Sequence, residues 1–348
     1  MLTKTHLYRE IHQQPEVLAR LYPQARPALT ELARLIERHQ VTQVVVAARG
    51  TSDNAGRYAQ YLLGSMNGLL VTLATPSLFT LYQRPPQLKG TLVLGISQSG
   101  QSPDIVAVLA EARRQGAITA VITNTPQSDL AQQGDVVVDL QVGVETAVAA
   151  TKSYTASLAA LAHLSAILRR DEKMKAALAN LPPAAATTLR IEPAIAQVAP
   201  RYRYMERCVV IGRGYNYATA FELALKLKEL TYTVVEPYSS ADFRHGPLAL
   251  IEAGFPVIVI APGGVMTAEM QAFMRQVGAR QAEVVAISDE PDTLRLARIG
   301  LPLETAVAEW LSPITAIIPG QLLALHLAHT RDYDVDAPRA IQKVTETK

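Results

Sequence analysis

Three serines within six residues, Ser97, Ser99 and Ser102, stand around Gly100 in the run Leu92-Val93-Leu94-Gly95-Ile96-Ser97-Gln98-Ser99-Gly100-Gln101-Ser102. Hydroxyls beside a flexible turn residue suit a dianion such as phosphate when a helix starts there, because free backbone N–H groups and the helix dipole both present positive charge. Glu222, Lys226 and Glu229 fall at i, i+4 and i+7, so a helix would carry two carboxylates and an amine on one face. His245 lies between Asp242-Phe243-Arg244 and Gly246-Pro247, surroundings that suit a side chain projecting from a loop. Each group also has a plainer reading. Ser and Gly make turns and helix caps, an alternating charge pattern makes an exposed ion-pair stripe, and a lone histidine is often structural.

The elements around these residues follow from pattern. Leu92 to Ile96 reads as a buried parallel strand, and Pro103-Asp104 followed by Ile105 to Ala110 reads as the start of a helix. Further strands are expected at Val41 to Ala48, Gly68 to Thr72, Ile118 to Thr123 and Val136 to Leu140, with a helix from Ala55 to about Leu63. Alternating strand and helix implies an α/β fold with a doubly wound parallel sheet, which binds ligands outside the carboxyl ends of its strands. Arg49-Gly50-Thr51-Ser52 and Ser97 to Ser102 both lie at that edge.

The pattern recurs. Val44 to Gly50 aligns with Cys208 to Gly214, an offset of 164; at that offset Val93-Leu94-Gly95-Ile96 falls on Val257-Ile258-Val259-Ile260, and Ala120 to Thr123 falls within Glu283 to Ser288. One offset without gaps across three strands implies an internal duplication. The equivalent of Ser97-Gln98-Ser99-Gly100 is Ala261-Pro262-Gly263-Gly264, so the second turn lacks the hydroxyls and should not bind an anion in the same way.

At 348 residues the chain is long enough for two cores, and 49% hydrophobic with 18% charged residues describes a folded protein. A net charge of +2 without basic runs argues against a nucleic-acid partner. The N-terminus has no signal-peptide pattern. The most hydrophobic helix, read at Tyr154 to Leu168, is short for a bilayer, so no membrane partner and a cytoplasmic location are expected. The single cysteine, Cys208, sits in an apolar run and reads as a buried structural thiol. No residue cluster suggests a metal or other cofactor.

Together, Arg49-Gly50-Thr51-Ser52, Ser97-Gln98-Ser99-Gly100, Glu145 to Lys152, Glu222 to Glu229, His245-Gly246-Pro247 and Pro338-Arg339 with Lys343 resemble the sugar isomerase (SIS) family. The resemblance is to its tandem members: the isomerase half of glucosamine 6-phosphate synthase and the stand-alone phosphosugar isomerases and deaminases. It implies two tandem flavodoxin-like SIS domains, at 41–170 and 204–335. An N-terminal helical segment (1–40), a helical linker (171–203) and a C-terminal active-site tail (336–348) complete the chain. It further implies a hexose phosphate held by Gly50, Thr51, Ser52, Ser97, Gln98, Ser99 and Ser102, with Val148 and Ala149 lining the sugar. Glu229 would move a proton between C1 and C2, and Lys226 would position the substrate. His245 would open the ring from the neighbouring subunit of a homodimer, and Lys343 would engage the open-chain carbonyl. The synthase carries a glutaminase domain, whereas this chain begins Met1-Leu2-Thr3, and its Lys343-Val344-Thr345 tail resembles that of the deaminases. The expected activity is therefore deamination of glucosamine 6-phosphate. The alternatives are galactosamine 6-phosphate deamination, deglycation of a fructosyl-amino acid phosphate, or non-catalytic sensing of a sugar phosphate.

Overall fold

A computed structural model describes residues 2–343. The chain divides into two compact units that are not consecutive stretches. One takes residues 2–15, Thr146–Thr151 and Asn180–Ile341; the other takes Glu16–Glu145, Lys152–Ala179 and residues 342–343.

The unit beginning at Glu16 is built on five parallel strands: β1 Gln43–Ala47, β2 Leu70–Leu73, β3 Leu92–Ser97, β4 Ile118–Thr123 and β5 Val136–Asp139. Their spatial order is β2-β1-β3-β4-β5, the flavodoxin-like order, in which the winding direction reverses between β1 and β3. All six residues of β3 are buried, as a central strand covered on both faces requires. One face packs Val93 and Val121 against Ile105, Val108 and Leu109 of the helix Pro103–Arg114.

The other unit repeats the plan with β6 Arg207–Gly212, β7 Val234–Ser239, β8 Pro256–Ile260, β9 Glu283–Ser288 and β10 Ile299–Pro302, again all parallel, in the order β7-β6-β8-β9-β10. Phe243 and Phe273 meet edge to face at 5.7 Å in its core. Cys208 is buried in β6, which pushes its thiol up to about 12 and leaves it inert as a nucleophile at neutral pH.

The duplication holds, but its offset is not constant. The helix Pro103–Arg114 corresponds to Thr267–Gly278 at 164, as β1 does to β6, whereas Ile118 of β4 occupies the place of Glu283, at 165. The extra residue sits in the turn from helix to strand, where Gln281 has φ +60° and the first half has Gly116 at φ +74°. Two more expectations need correction. The helix after β1 begins at Gly50 rather than Ala55, because the polar run Thr51-Ser52-Asp53 forms its first turn. The most apolar helix is Ser312–Thr330 and not the one over Lys152–Arg169; its prolines, Pro313 and Pro319, masked the pattern, and it is buried inside its own unit.

Candidate active site

The turns after β1 and β3 flank the point where the winding reverses. Gly100 takes φ +64°, and a Cβ there would lie 2.0 Å from Ser128 Oγ, so only glycine fits. The Gly100 N–H donates to Ser97 Oγ at 3.0 Å, and the Leu130 N–H donates to the Gly100 carbonyl at 3.1 Å. Ser102 caps the helix Pro103–Arg114 without bonding it through its side chain. The N–H groups of Ser99 and Ser102 meet no acceptor among the described residues. Thr51, Ser52, Gln98, Ser99 and Ser102 are half-buried and Gly50 is exposed, whereas Ser97 is buried.

Arg49 ties the two turns together. Its Nε and Nη2 donate to Asp104 Oδ2 at 2.8 and 2.7 Å, and Asp104 is fully buried. Nearby, burial holds the Asp53 carboxyl above its usual value, against the opposing charges of Arg57 and Arg49.

The equivalent turn of the second half is filled by the protein itself. The Gly263 N–H donates to Asp289 Oδ1 at 2.6 Å, the Gly264 N–H to Thr267 Oγ1 at 2.9 Å, and the Val265 N–H to Glu309 Oε2 at 3.0 Å. Two carboxylates thus take up amides of this turn, whereas the Ser99 and Ser102 amides of the first turn meet no acceptor among the described residues. Beside this turn Arg213 and Arg244 both pair with Glu269, which also accepts from Ser240 Oγ at 2.7 Å. Burial raises the Glu269 carboxyl, but these hydrogen bonds and charges outweigh it and hold it below its usual range.

Glu222, Lys226 and Glu229 lie on the helix Asn216–Thr231, and they do not form an exposed stripe. Glu222 and Lys226 are buried. Lys226 Nζ lies 3.4 Å from Glu222 Oε1 and 2.6 Å from Glu229 Oε2, while the Glu229 side chain keeps 20% exposure. The helix packs against β6, β7 and the helix Ser312–Thr330, which covers residues that its own periodicity would leave outside. The arrangement is an ammonium buried between two carboxylates, one of them reachable from solvent, and not an exposed surface stripe.

His245 follows the short helix Ser240–Arg244, is exposed, and makes no side-chain hydrogen bond among the described residues. In the 146–151 segment Val148 is half-buried and Ala149 fully buried. This segment belongs to the same compact unit as Glu229, although in sequence it follows the first sheet. Lys343 donates to the buried Glu145 at 3.3 Å, and Glu145 also accepts from the Ser153 N–H and Oγ at 3.0 and 2.6 Å.

The tail before Lys343 is anchored: Asp336 accepts from the His6 and Leu7 N–H groups, both at 2.8 Å, and the Arg339 guanidinium lies 3.9 Å from the centre of the Tyr232 ring. Val344 to Lys348 lie outside the described residues. The sequence places Asp104 at a helix start but gives no sign of its pairing with Arg49, and Asp289 and Glu309 carry no signal at all. No group of three or more His, Cys, Asp or Glu side chains able to hold a metal is gathered among the described residues.

A family model described as SIS domain matches residues 39–166 and again residues 203–331. The chain belongs to the SIS domain family. As a tandem SIS protein it is 34% identical over 355 residues to glutamine–fructose-6-phosphate aminotransferase (isomerizing) of Zymomonas mobilis subsp. mobilis, covering 97% of this chain. It spans 58% of the length of that relative. Among solved structures it resembles the C-terminal domain of glucosamine-fructose-6-phosphate aminotransferase from Francisella tularensis, with a TM-score of 0.89 and 28% identity over 96% of this chain and 98% of that one. The SIS fold is shared with glucosamine-6-phosphate deaminase from Thermotoga maritima, at TM-score 0.79 and 20% identity over 99% of this chain and 100% of that one.

Proposed function

We propose that this SIS protein is a phosphosugar enzyme that converts glucosamine 6-phosphate and water to fructose 6-phosphate and ammonia. The observation that carries the reading is the asymmetry of the two turns: the second closes its amides on Asp289 and Glu309, while Ser99 and Ser102 keep theirs for a ligand. Phosphate is the anion that matches this cradle of amides and hydroxyls. Gly50, Thr51 and Ser52 complete it across the sheet's reversal point, and Val148 and Ala149 line the sugar.

With the phosphate fixed, the reacting carbons are oriented by a remote contact. His245, exposed and without a hydrogen bond of its own, reaches the ring oxygen of the partner subunit's substrate in a homodimer and opens the ring. Glu229 takes the proton from C2 and returns it to C1, with Lys226 holding the carboxylate. The amine at C2 thereby becomes an imine, which water cleaves to the ketone and ammonia. Lys343 engages the open-chain carbonyl, where an amine can form a Schiff base. The 34% identity to aminotransferases supports a second reading, in which the same groups run from fructose 6-phosphate and ammonia toward the amino sugar.

The test is ammonia release from glucosamine 6-phosphate and galactosamine 6-phosphate, with Glu229→Gln as control. Release that the substitution abolishes supports deamination and names the sugar. Amination of fructose 6-phosphate without measurable release favours the second reading. Silence in both directions with sugar-phosphate binding intact overturns both in favour of a deglycase or a sensor.

A further inference from the structure

We infer that Glu10 is a positioning residue that sets the backbone of the sugar-lining segment Thr146–Thr151, an inference that rests on the hexose 6-phosphate reading above. Glu10 is 4% exposed. Its Oε1 accepts from the Thr146 N–H at 2.5 Å, and its Oε2 accepts from the Ala147 N–H at 3.2 Å. A carboxylate withdrawn from water must regain its hydrogen bonds inside the fold, and charge-assisted bonds to backbone N–H groups are among the strongest available. The segment belongs to no helix or strand, so no backbone ladder sets its course. Between the fully buried Ala147 and Ala149, Val148 stays accessible, and its place depends on the two amides just before it.

Glu10 is itself held by a fixed frame. The helix His6–His12 buries Leu7 and Ile11 completely and is capped at its start by Thr5 and by Asp336 of the C-terminal tail. At its end His12 Nε2 contacts Glu192 Oε2 at 3.0 Å, and Glu192 Oε1 contacts His326 Nε2 at 3.1 Å. A seven-residue helix thus carries one buried acid that accepts from the two backbone amides just before Val148.

The phosphate cradle lies on other residues, which separates this role from general stability. Titration calorimetry would measure binding of inorganic phosphate and of glucosamine 6-phosphate to the wild type, Glu10→Gln and Glu10→Ala. Removing the carboxylate should weaken glucosamine 6-phosphate about tenfold while leaving inorganic phosphate unchanged, with Glu10→Gln intermediate because one acceptor oxygen remains. Equal affinities in all three proteins overturn the inference, as does an equal loss for both ligands, which would mark a merely structural residue. Should Glu10→Ala not fold, Glu10→Gln is read by hydrogen exchange of the Thr146 and Ala147 amides. Faster exchange together with the selective sugar-phosphate loss supports the inference, and unchanged exchange overturns it. A wild type that binds glucosamine 6-phosphate no better than inorganic phosphate overturns the functional reading, and this inference with it.

Discussion

Arg49, half-exposed at the end of β1, places two of its guanidinium nitrogens on one oxygen of Asp104, which is wholly buried at the start of the helix after β3. The second half has the same device one residue along, in Arg213 and Glu269. The pair joins the two turns that flank the reversal point, so the proposed anion cradle would be held from both sides. The partners are unequal, and that asymmetry can be measured. Arg49→Met strands a buried carboxylate and should cost about 3 kcal/mol, whereas Asp104→Asn leaves an arginine that water can reach and should cost about 1 kcal/mol. Urea unfolding of the two variants checks this, and equal costs would refute it.

The two turns predict stoichiometry. One inorganic phosphate should bind per chain, at the first turn, and Ser99→Ala should weaken it about tenfold through loss of a hydroxyl contact worth about 1.4 kcal/mol. Asp289→Ala leaves the Gly263 N–H without its carboxylate and should destabilise the fold by about 2 kcal/mol without altering phosphate affinity. Two phosphates per chain in the unaltered protein would contradict the asymmetry.

Glu229 and Lys226 should separate chemistry from folding. Glu229→Gln keeps a hydrogen-bond acceptor for Lys226 but cannot take a proton. Turnover should therefore fall about a thousandfold with substrate affinity nearly unchanged. Lys226→Met instead leaves Glu222 and Glu229 facing each other without their cation, and should lose several kcal/mol of stability as well as activity. A Lys226→Met protein as stable as wild type would show that the buried ammonium is not needed by its neighbours.

His163 sets a pH dependence. It is stacked on Tyr22 at 4.3 Å, and burial lowers its imidazole to about 4. The unfolded chain therefore takes up this proton at higher pH than the folded one. The stability it contributes is present above about pH 6.5 and declines as pH falls toward 4, by up to about 3 kcal/mol. Burial lowers His326 as well, in the same direction. His163→Phe keeps the stack and should flatten the curve of stability against pH between 6.5 and 4. An unchanged slope would assign the acid sensitivity to other groups.

Much of the fold was legible because buried parallel strands announce themselves. Ile118 to Thr123 was read to the residue, and the strand expected from Leu92 is β3. The one-residue slip between β4 and β9 was not legible for the same reason. Both strands are buried on both faces, so no alternation of exposed and buried residues marks their register. The helix Ser312–Thr330 was overlooked because it is apolar all round and carries two prolines, which leaves no amphipathic period to detect.

Sequence alone determined the α/β class, the duplication, the serine turn, and the shared helical face of Glu222, Lys226 and Glu229, because each depends on spacing along one chain. Tertiary structure decided what those spacings mean. The i, i+4 pattern of Glu222 and Lys226 is the same on a wet surface and in a core, and only packing against neighbouring elements buries them. Asp289 and Glu309 stand far in sequence from the Gly263 and Val265 amides they satisfy, and Glu10 is 136 residues from Thr146. Long-range hydrogen bonds of this kind have no local period, so they arise only when the chain closes on itself.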